Sequence, residues 1–170
     1  MLLAGDAWDA QFRDFTKEAW RLETLPQYLV PQEAEEFSRF LSGQPVAIPE
    51  GDDEWFELIR KHQETGGSIG RVHIVTRPLS DYLRFEFAQY YAPQFEAGED
   101  IRILDVTDRP NPLAGVQDFW MFDRSTVVLM NYESDGTQIN RELFEGDPAP
   151  FVEFQRIALA EAVPFSEYVK

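Results

Sequence analysis

"RVHIVTRPLSDYLRFEF", Arg71 to Phe87, decides how this chain is read, because the apolar period changes inside it. With the two residues before it, "IGRVHIVT" alternates and is β-branched, which predicts a strand with Val72 and Ile74 on one side. From Pro78 to Glu99, "PLSDYLRFEFAQYYAPQFEAGE" fits two periods. As a strand it would turn Leu83, Phe85 and Phe87 inward. As a helix capped by Ser80 it puts Leu83, Phe87, Tyr90 and Tyr91 on one stripe. Its length, with Ala88 and Gln89 inside it, favours the helix, and a strand–helix–strand unit then closes with "DIRILDV", Asp100 to Val106. On that helix Arg84 and Glu86 border the stripe on opposite sides, Asp81 is the nearest partner for Arg84, and Phe85 needs cover from elsewhere.

Outward from this unit, the N-terminal third reads as helical. In "DAWDAQFRDFTKEAWRL", Asp6 to Leu22, the residues Trp8, Phe12, Phe15, Ala19 and Leu22 recur at helical steps. "VPQEAEEFSRFLSG" starts a helix at Pro31 and ends it at Gly43, with Glu33, Glu35 and Glu36 early, where the helix dipole favours acids. "GDDEWFELIRKHQETGG" gives a third helix, capped by Asp52 or Asp53 and ended by Gly66-Gly67. Beyond the central unit, "DFWMFDRSTVVLMNYESDGTQINREL" reads as strands separated by turns at Asp123–Ser125 and Ser134–Gly136. "PAPFVEFQRIALAEAV" closes as a helix with Phe151, Phe154, Ile157, Ala158 and Ala162 on one stripe. The expected architecture is α+β over residues 1–170 as a single acidic globular domain. N-terminal helices pack on a small mixed sheet with a strand–helix–strand unit, a C-terminal hairpin and a closing helix.

Composition narrows the function. The chain has 170 residues, no cysteine and a formal net charge of −16. Disulfides and thiolate chemistry are excluded, as are Cys-built metal centres. The charge repels nucleic-acid phosphates and anionic lipid, while a basic protein partner is easily accommodated. No run approaches the ~18 apolar residues of a membrane span, and the start lacks the basic, apolar pattern of a secretory signal, so the expected location is cytoplasmic.

Catalytic signatures are weak. His62 and His73 have no metal-ligand spacing, and no metal or other cofactor is expected. Ser80 lies near His73 and Asp81, but its place before a helix is that of a cap, and no nucleophile elbow or oxyanion loop accompanies it. "TGGSIG", Thr65 to Gly70, lacks the phosphate-loop lysine and leads into a strand. With 31 Asp and Glu, paired acids arise by chance and specify nothing. Phe119, Trp120 and Phe122 read as core, without the interleaved arginines of a base-stacking platform.

What stands above background is a set of charges that read as interior: Arg77, Asp81, Arg84, Glu86, Glu99 and Arg102, with Tyr82 among them. Buried charges require partners, so a network is expected, either a structural clasp between helix and sheet or a polar pocket for a ligand or a partner side chain.

Several stretches together resemble an actinobacterial family of uncharacterised domains common in Streptomyces. They are "AWRLET" (Ala19–Thr24), "FLSG" (Phe40–Gly43), Arg71–Phe87 itself, "AGEDIRIL" (Ala97–Leu104), "DFWMFD" (Asp118–Asp123) and "AVPFSEYV" (Ala162–Val169). The resemblance implies a setting near Xre-type helix-turn-helix regulators and small acidic companions, and no chemistry. The later half is also similar to one repeat of the phospholipase D-like fold. There "DFWMFD" keeps Asp123 but has neither the His nor the Lys of that fold's H-x-K-x-D signature. The resulting expectation is a non-catalytic regulatory or protein-interaction domain, partnering a helix-turn-helix regulator or sensing a small ligand. The rival is an enzyme of a specialised-metabolite or peptide-modifying pathway with a polar pocket at Arg77, Asp81, Arg84 and Glu86.

Overall fold

A computed structural model describes residues 1–47 and 54–170. The helix cap expected at Asp52 or Asp53 lies outside the described residues. The order is α1 (Gly5–Asp14), β1 (Glu18–Glu23), a short 3-10 turn (Pro31–Glu33), α2 (Ala34–Leu41), α3 (Glu54–Thr65) and β2 (Ser68–Val75). Then come α4 (Asp81–Glu86), a π-helical turn (Phe87–Tyr91), α5 (Ala92–Ala97) and β3 (Asp100–Asp105). The chain continues with β4 (Phe119–Phe122), β5 (Thr126–Tyr132), β6 (Gln138–Leu143), α6 (Ala149–Glu161), β7 (Val163–Pro164) and α7 (Phe165–Tyr168). The strands form one mixed sheet in the order β6-β5-β4-β1-β2-β3-β7. Strands β1, β2 and β3 run parallel, and β4, β5, β6 and β7 are added antiparallel.

The α+β architecture is the one the sequence predicts, and the strand–helix–strand unit forms as read. Ser80 caps α4, its Oγ accepting from the backbone N–H of Leu83 at 3.0 Å. Phe85 is fully buried, covered by Phe37 and Phe40 of α2 with ring centroids at 5.2 and 5.6 Å.

The helix expected to run from Asp6 to Leu22 is corrected. It ends at Asp14, and Glu18–Glu23 is a central strand of the sheet. Here the chain turns because the Asp123 carboxylate accepts the backbone N–H groups of Thr16, Lys17 and Glu18 at 3.0, 2.7 and 3.0 Å. Strand β1 pairs on both sides, with β2 and β4, and both its faces are covered, so its apolar residues do not alternate and imitate a helical stripe. The two-residue β7 is a further strand that the pattern does not announce.

Each strand divides its side chains between two faces. On one face Trp20, Leu22, Val72, Ile74, Leu104, Phe119 and Met121 form a core closed by Phe151, Phe154, Ile157 and Ala158 of α6. The other face is apolar at both ends. Ala19, Ile69, Trp120, Phe122 and Val128 pack with α1 and α3, whereas Val75, Ile101 and Ile103 pack with residues of α4, the π turn and α7. Between these two apolar regions the same face carries Arg21 and Glu23 from β1 and Arg71 and His73 from β2.

Candidate functional site

This charged seam is set by strand register. Arg21 stands beside Arg71 and Glu23 beside His73 on the adjoining parallel strands. Two neighbouring guanidinium groups inside a protein require carboxylates, and the fold supplies them from both directions. Arg71 Nη1 donates to Glu23 Oε1 at 2.7 Å, and its Nε and Nη2 donate to Glu99 Oε1 at 3.3 and 2.9 Å. Arg21 lies 3.6 Å from Asp118 and 4.0 Å from Glu23, and its Nη2 donates to Tyr132 Oη at 2.8 Å. Asp118 in turn accepts from Tyr28 Oη at 2.5 Å and from Thr24 Oγ1 at 2.6 Å.

These contacts set the protonation states. Burial works against charge on Glu23, but Arg21 and Arg71 overcome it and hold the carboxyl far below its ordinary range. Arg71 is buried too, yet Glu99 and Glu23 keep its guanidinium charged. Burial pushes Glu99 up against the pull of Arg71.

His73 is buried in the middle of the seam. Its Nε2 lies 2.8 Å from the Leu25 carbonyl, an acceptor only, so Nε2 carries a proton. Tyr91 Oη lies 2.8 Å from Glu23 Oε1 and 2.9 Å from His73 Nδ1. The phenol has one proton, and the ionised Glu23 takes it. Nδ1 must then carry a second proton and donate to Tyr91, with Glu86 Oε1 at 3.5 Å as its counter-charge. His73 is therefore an imidazolium. Burial alone would lower its pKa, but Glu86 and Glu23 raise it above the ordinary histidine value.

The π turn makes this arrangement possible. On a regular α-helix Glu86 and Tyr91 would lie about 140° apart. The wider turn at Phe87–Tyr91 brings both to His73. Glu86 also meets Tyr82, whose Oη is 3.4 Å from Glu86 Oε2 and donates to Glu33 at 2.8 Å. Burial raises Glu33 to about 7, against the Tyr82 hydrogen bond and reinforced by the nearby Glu86 charge.

Among the described residues, Glu23, His73 and Glu86 offer ligand atoms within 4.8 Å of one another. A cation there would compete with a proton for Nδ1 of His73. His62 instead stacks flat on Phe15 with centroids at 3.9 Å and serves as core.

The residues singled out from sequence do not converge. Glu86 and Glu99 are buried and belong to the seam, at its His73 and Arg71 sides, and Tyr82 bridges Glu86 to Glu33. The interior reading of the other four is corrected, since each pairs near the surface. Arg84 bonds Asp81, Arg102 bonds Asp100 at 3.0 Å, and Arg77 bonds Asp105 and Asp108 at 2.8 and 3.1 Å. Arg77 lines a shallow depression of about 570 Å³ with Asp105 and Tyr168, apart from the seam. The expected pocket joining Arg77, Asp81, Arg84 and Glu86 is thus replaced by three separate sets of ion pairs. Sequence reasoning missed Arg21, Glu23, Arg71 and Asp118, and set His73 aside. On the two strands the available signal was an ionisable residue at every second position, Arg21 and Glu23 on β1 and Arg71 and His73 on β2, whereas Asp118 lies in a loop without such a pattern.

Above the seam opens a larger cleft of about 1160 Å³, with Arg21, Arg71, Trp120 and Tyr132 among its lining and Trp8, Phe12 and Trp55 on the helical side. Phe12 stands edge-on to Trp8, Trp55 and Trp120, with centroids 5.0, 5.6 and 5.1 Å away, so this side is one continuous aromatic surface. Trp120 also lies within cation–π range of Arg21 and Arg71, at 5.9 and 6.0 Å. The opposite side is the Tyr28–Gln32 segment, tied down by Leu29 N–H donating to the Gly136 carbonyl at 3.0 Å. Gly136 has φ of +94°, and a Cβ there would come within 2.4 Å of the Gln27 carbonyl oxygen, so only glycine permits this approach.

The chain belongs to the family described as "Domain of unknown function (DUF6879)", whose pattern matches residues 6–170. No curated protein matches it. No helix among the described residues is long and apolar enough to cross a membrane.

Proposed function

We propose that this chain is a non-catalytic regulatory domain that binds a small ligand in the cleft above the Arg21–Arg71 seam and signals that state to a protein partner. The observation that carries this reading is the cleft itself, a concave aromatic and cationic surface held by strands and hydrogen-bonded walls. The groups beneath it are matched to one another: Arg71 to Glu23 and Glu99, Arg21 to Asp118, and His73 to Glu86 and Tyr91. Such matching fixes shape and charge and does not poise a base for proton transfer. A net charge of −16 suits a basic partner, and a DNA-binding regulator of the helix-turn-helix class has such a surface. The resemblance to actinobacterial domains set near Xre-type regulators supports that choice, and a cytoplasmic setting accords with it. On the phospholipase D-like likeness, Asp123, the one retained position, is spent on the backbone N–H groups of Thr16, Lys17 and Glu18.

The test combines two measurements on the full chain. Metabolite extract from the native host should raise its melting temperature, and affinity capture from the same host should recover a DNA-binding regulator whose retention changes with that extract. An unchanged melting temperature together with no regulator recovered would overturn the reading.

A further inference from the structure

The cleft gathers charge against the trend of the chain. The protein carries 31 acidic and 15 basic residues. The cleft is nevertheless lined by five cations, Arg13, Arg21, Lys61, Arg71 and Arg141, and by two carboxylates, Asp9 and Glu54, among the described residues. Arg71 and Arg21 are balanced from beneath, as described. Arg141 is different. It is half-buried on the edge strand β6, its guanidinium lies 4.7 Å from the Trp8 ring centre, and no carboxylate of the described residues comes within ion-pair distance of it.

Two donors on residues that line this cleft have no partner of their own. The Nε–H groups of Arg21 and Arg141 are both buried, and neither has a hydrogen-bond partner among the described residues. Buried donors of this kind are rare in native proteins, and each calls for an explanation. Arg141 is repelled by Arg21 and attracted by Asp9 across the cleft. An anion bound beside the two guanidinium groups would offset the repulsion, and the guanidinium fork is the group best shaped for a carboxylate. Beside this anionic end stand Trp8, Phe12, Trp55 and Trp120, an aromatic surface suited to a flat ring.

We infer that the ligand of this cleft is a small aromatic carboxylic acid, its carboxylate held between Arg141 and Arg21 and its ring against the tryptophan-rich wall. This rests on the ligand-binding reading above and specifies its chemistry.

Isothermal titration of the full chain with indole-3-acetate and 1-naphthoate, each beside its neutral primary amide, tests the class. A charge-assisted contact of this kind predicts that each acid binds about tenfold or more tighter than its amide. Arg141→Met keeps a stem over Trp8 and should reduce that preference to about threefold or less, while circular dichroism and melting stay near wild type. Acids and amides binding equally would overturn the carboxylate and leave the ligand-binding reading standing. An unchanged preference in Arg141→Met would overturn the role of Arg141. No binding by any of the four compounds would overturn both the class and the use of this cleft.

Discussion

Arg71 Nη1 donates to Glu23 Oε1 across 2.7 Å, joining the two central parallel strands beneath the cleft. The same guanidinium holds Glu99, the residue just before β3, so one cation ties β1 and β2 to the entry of β3. Replacing Arg71 with Met leaves Glu99 without its cation and Glu23 dependent on Arg21 and His73, and the expected cost is about 3–5 kcal/mol. Urea unfolding at neutral pH measures it. A loss below about 1 kcal/mol would mean that the seam is solvated and carries little of the fold.

Glu23 gives the seam an acid limit. Its folded pKa lies below the unfolded one, so its contribution is fully present above about pH 5 and lost as pH falls through the carboxylate range. Stability of the wild type should drop steeply below about pH 4, and Glu23→Gln, already destabilised at pH 7, should show a shallower drop. Urea midpoints between pH 3 and 7 for both proteins decide it.

His73 and Glu33 act at the other end. Both have folded pKa values above their unfolded ones, Glu33 at about 7. Their stabilisation is present at low pH and lost as pH rises, for Glu33 from the carboxylate range up to about 7, and for His73 through its raised value. Stability should therefore decline as pH rises, from the carboxylate range up to about 7 through Glu33 and above the ordinary histidine range through His73. Glu33→Gln should flatten the part of that decline below pH 7, and an unchanged slope would contradict the Glu33–Tyr82–Glu86 coupling.

Phe85 tests the cover that α2 provides. Fully buried against Phe37 and Phe40, it should cost about 3–5 kcal/mol when changed to Ala. Gly136→Ala should destabilise by about 1–3 kcal/mol and loosen the Tyr28–Gln32 wall, which hydrogen exchange at Leu29 N–H would report.

The central unit is legible in the sequence because its signals agree. Val72 and Ile74 alternate, Ser80 caps, and a strand of matching character follows at Asp100. Strand β1 is hidden because sheet pairing on both sides removes the alternation that would reveal it, and its start is fixed by Asp123, more than a hundred residues away. The seam is hidden for a related reason. Arg21 and Arg71 become neighbours only through register, and Asp118 joins them from a loop. The helix charges drew attention because they are close in sequence. Asp81 and Arg84 are simply a local surface pair, whereas Glu86 and Glu99 reach the seam through the π turn and the entry to β3.

The most direct measurement of the central claim uses the chain's four tryptophans as separate probes. Trp8, Trp55 and Trp120 line the cleft, while Trp20 lies in the core on the opposite face of the sheet. Indole N–H resonances followed by heteronuclear NMR during titration with indole-3-acetate should shift for Trp8, Trp55 and Trp120 and stay fixed for Trp20. Resonances that all remain in place, or a Trp20 signal that moves as far as the other three, would contradict the cleft as the working site.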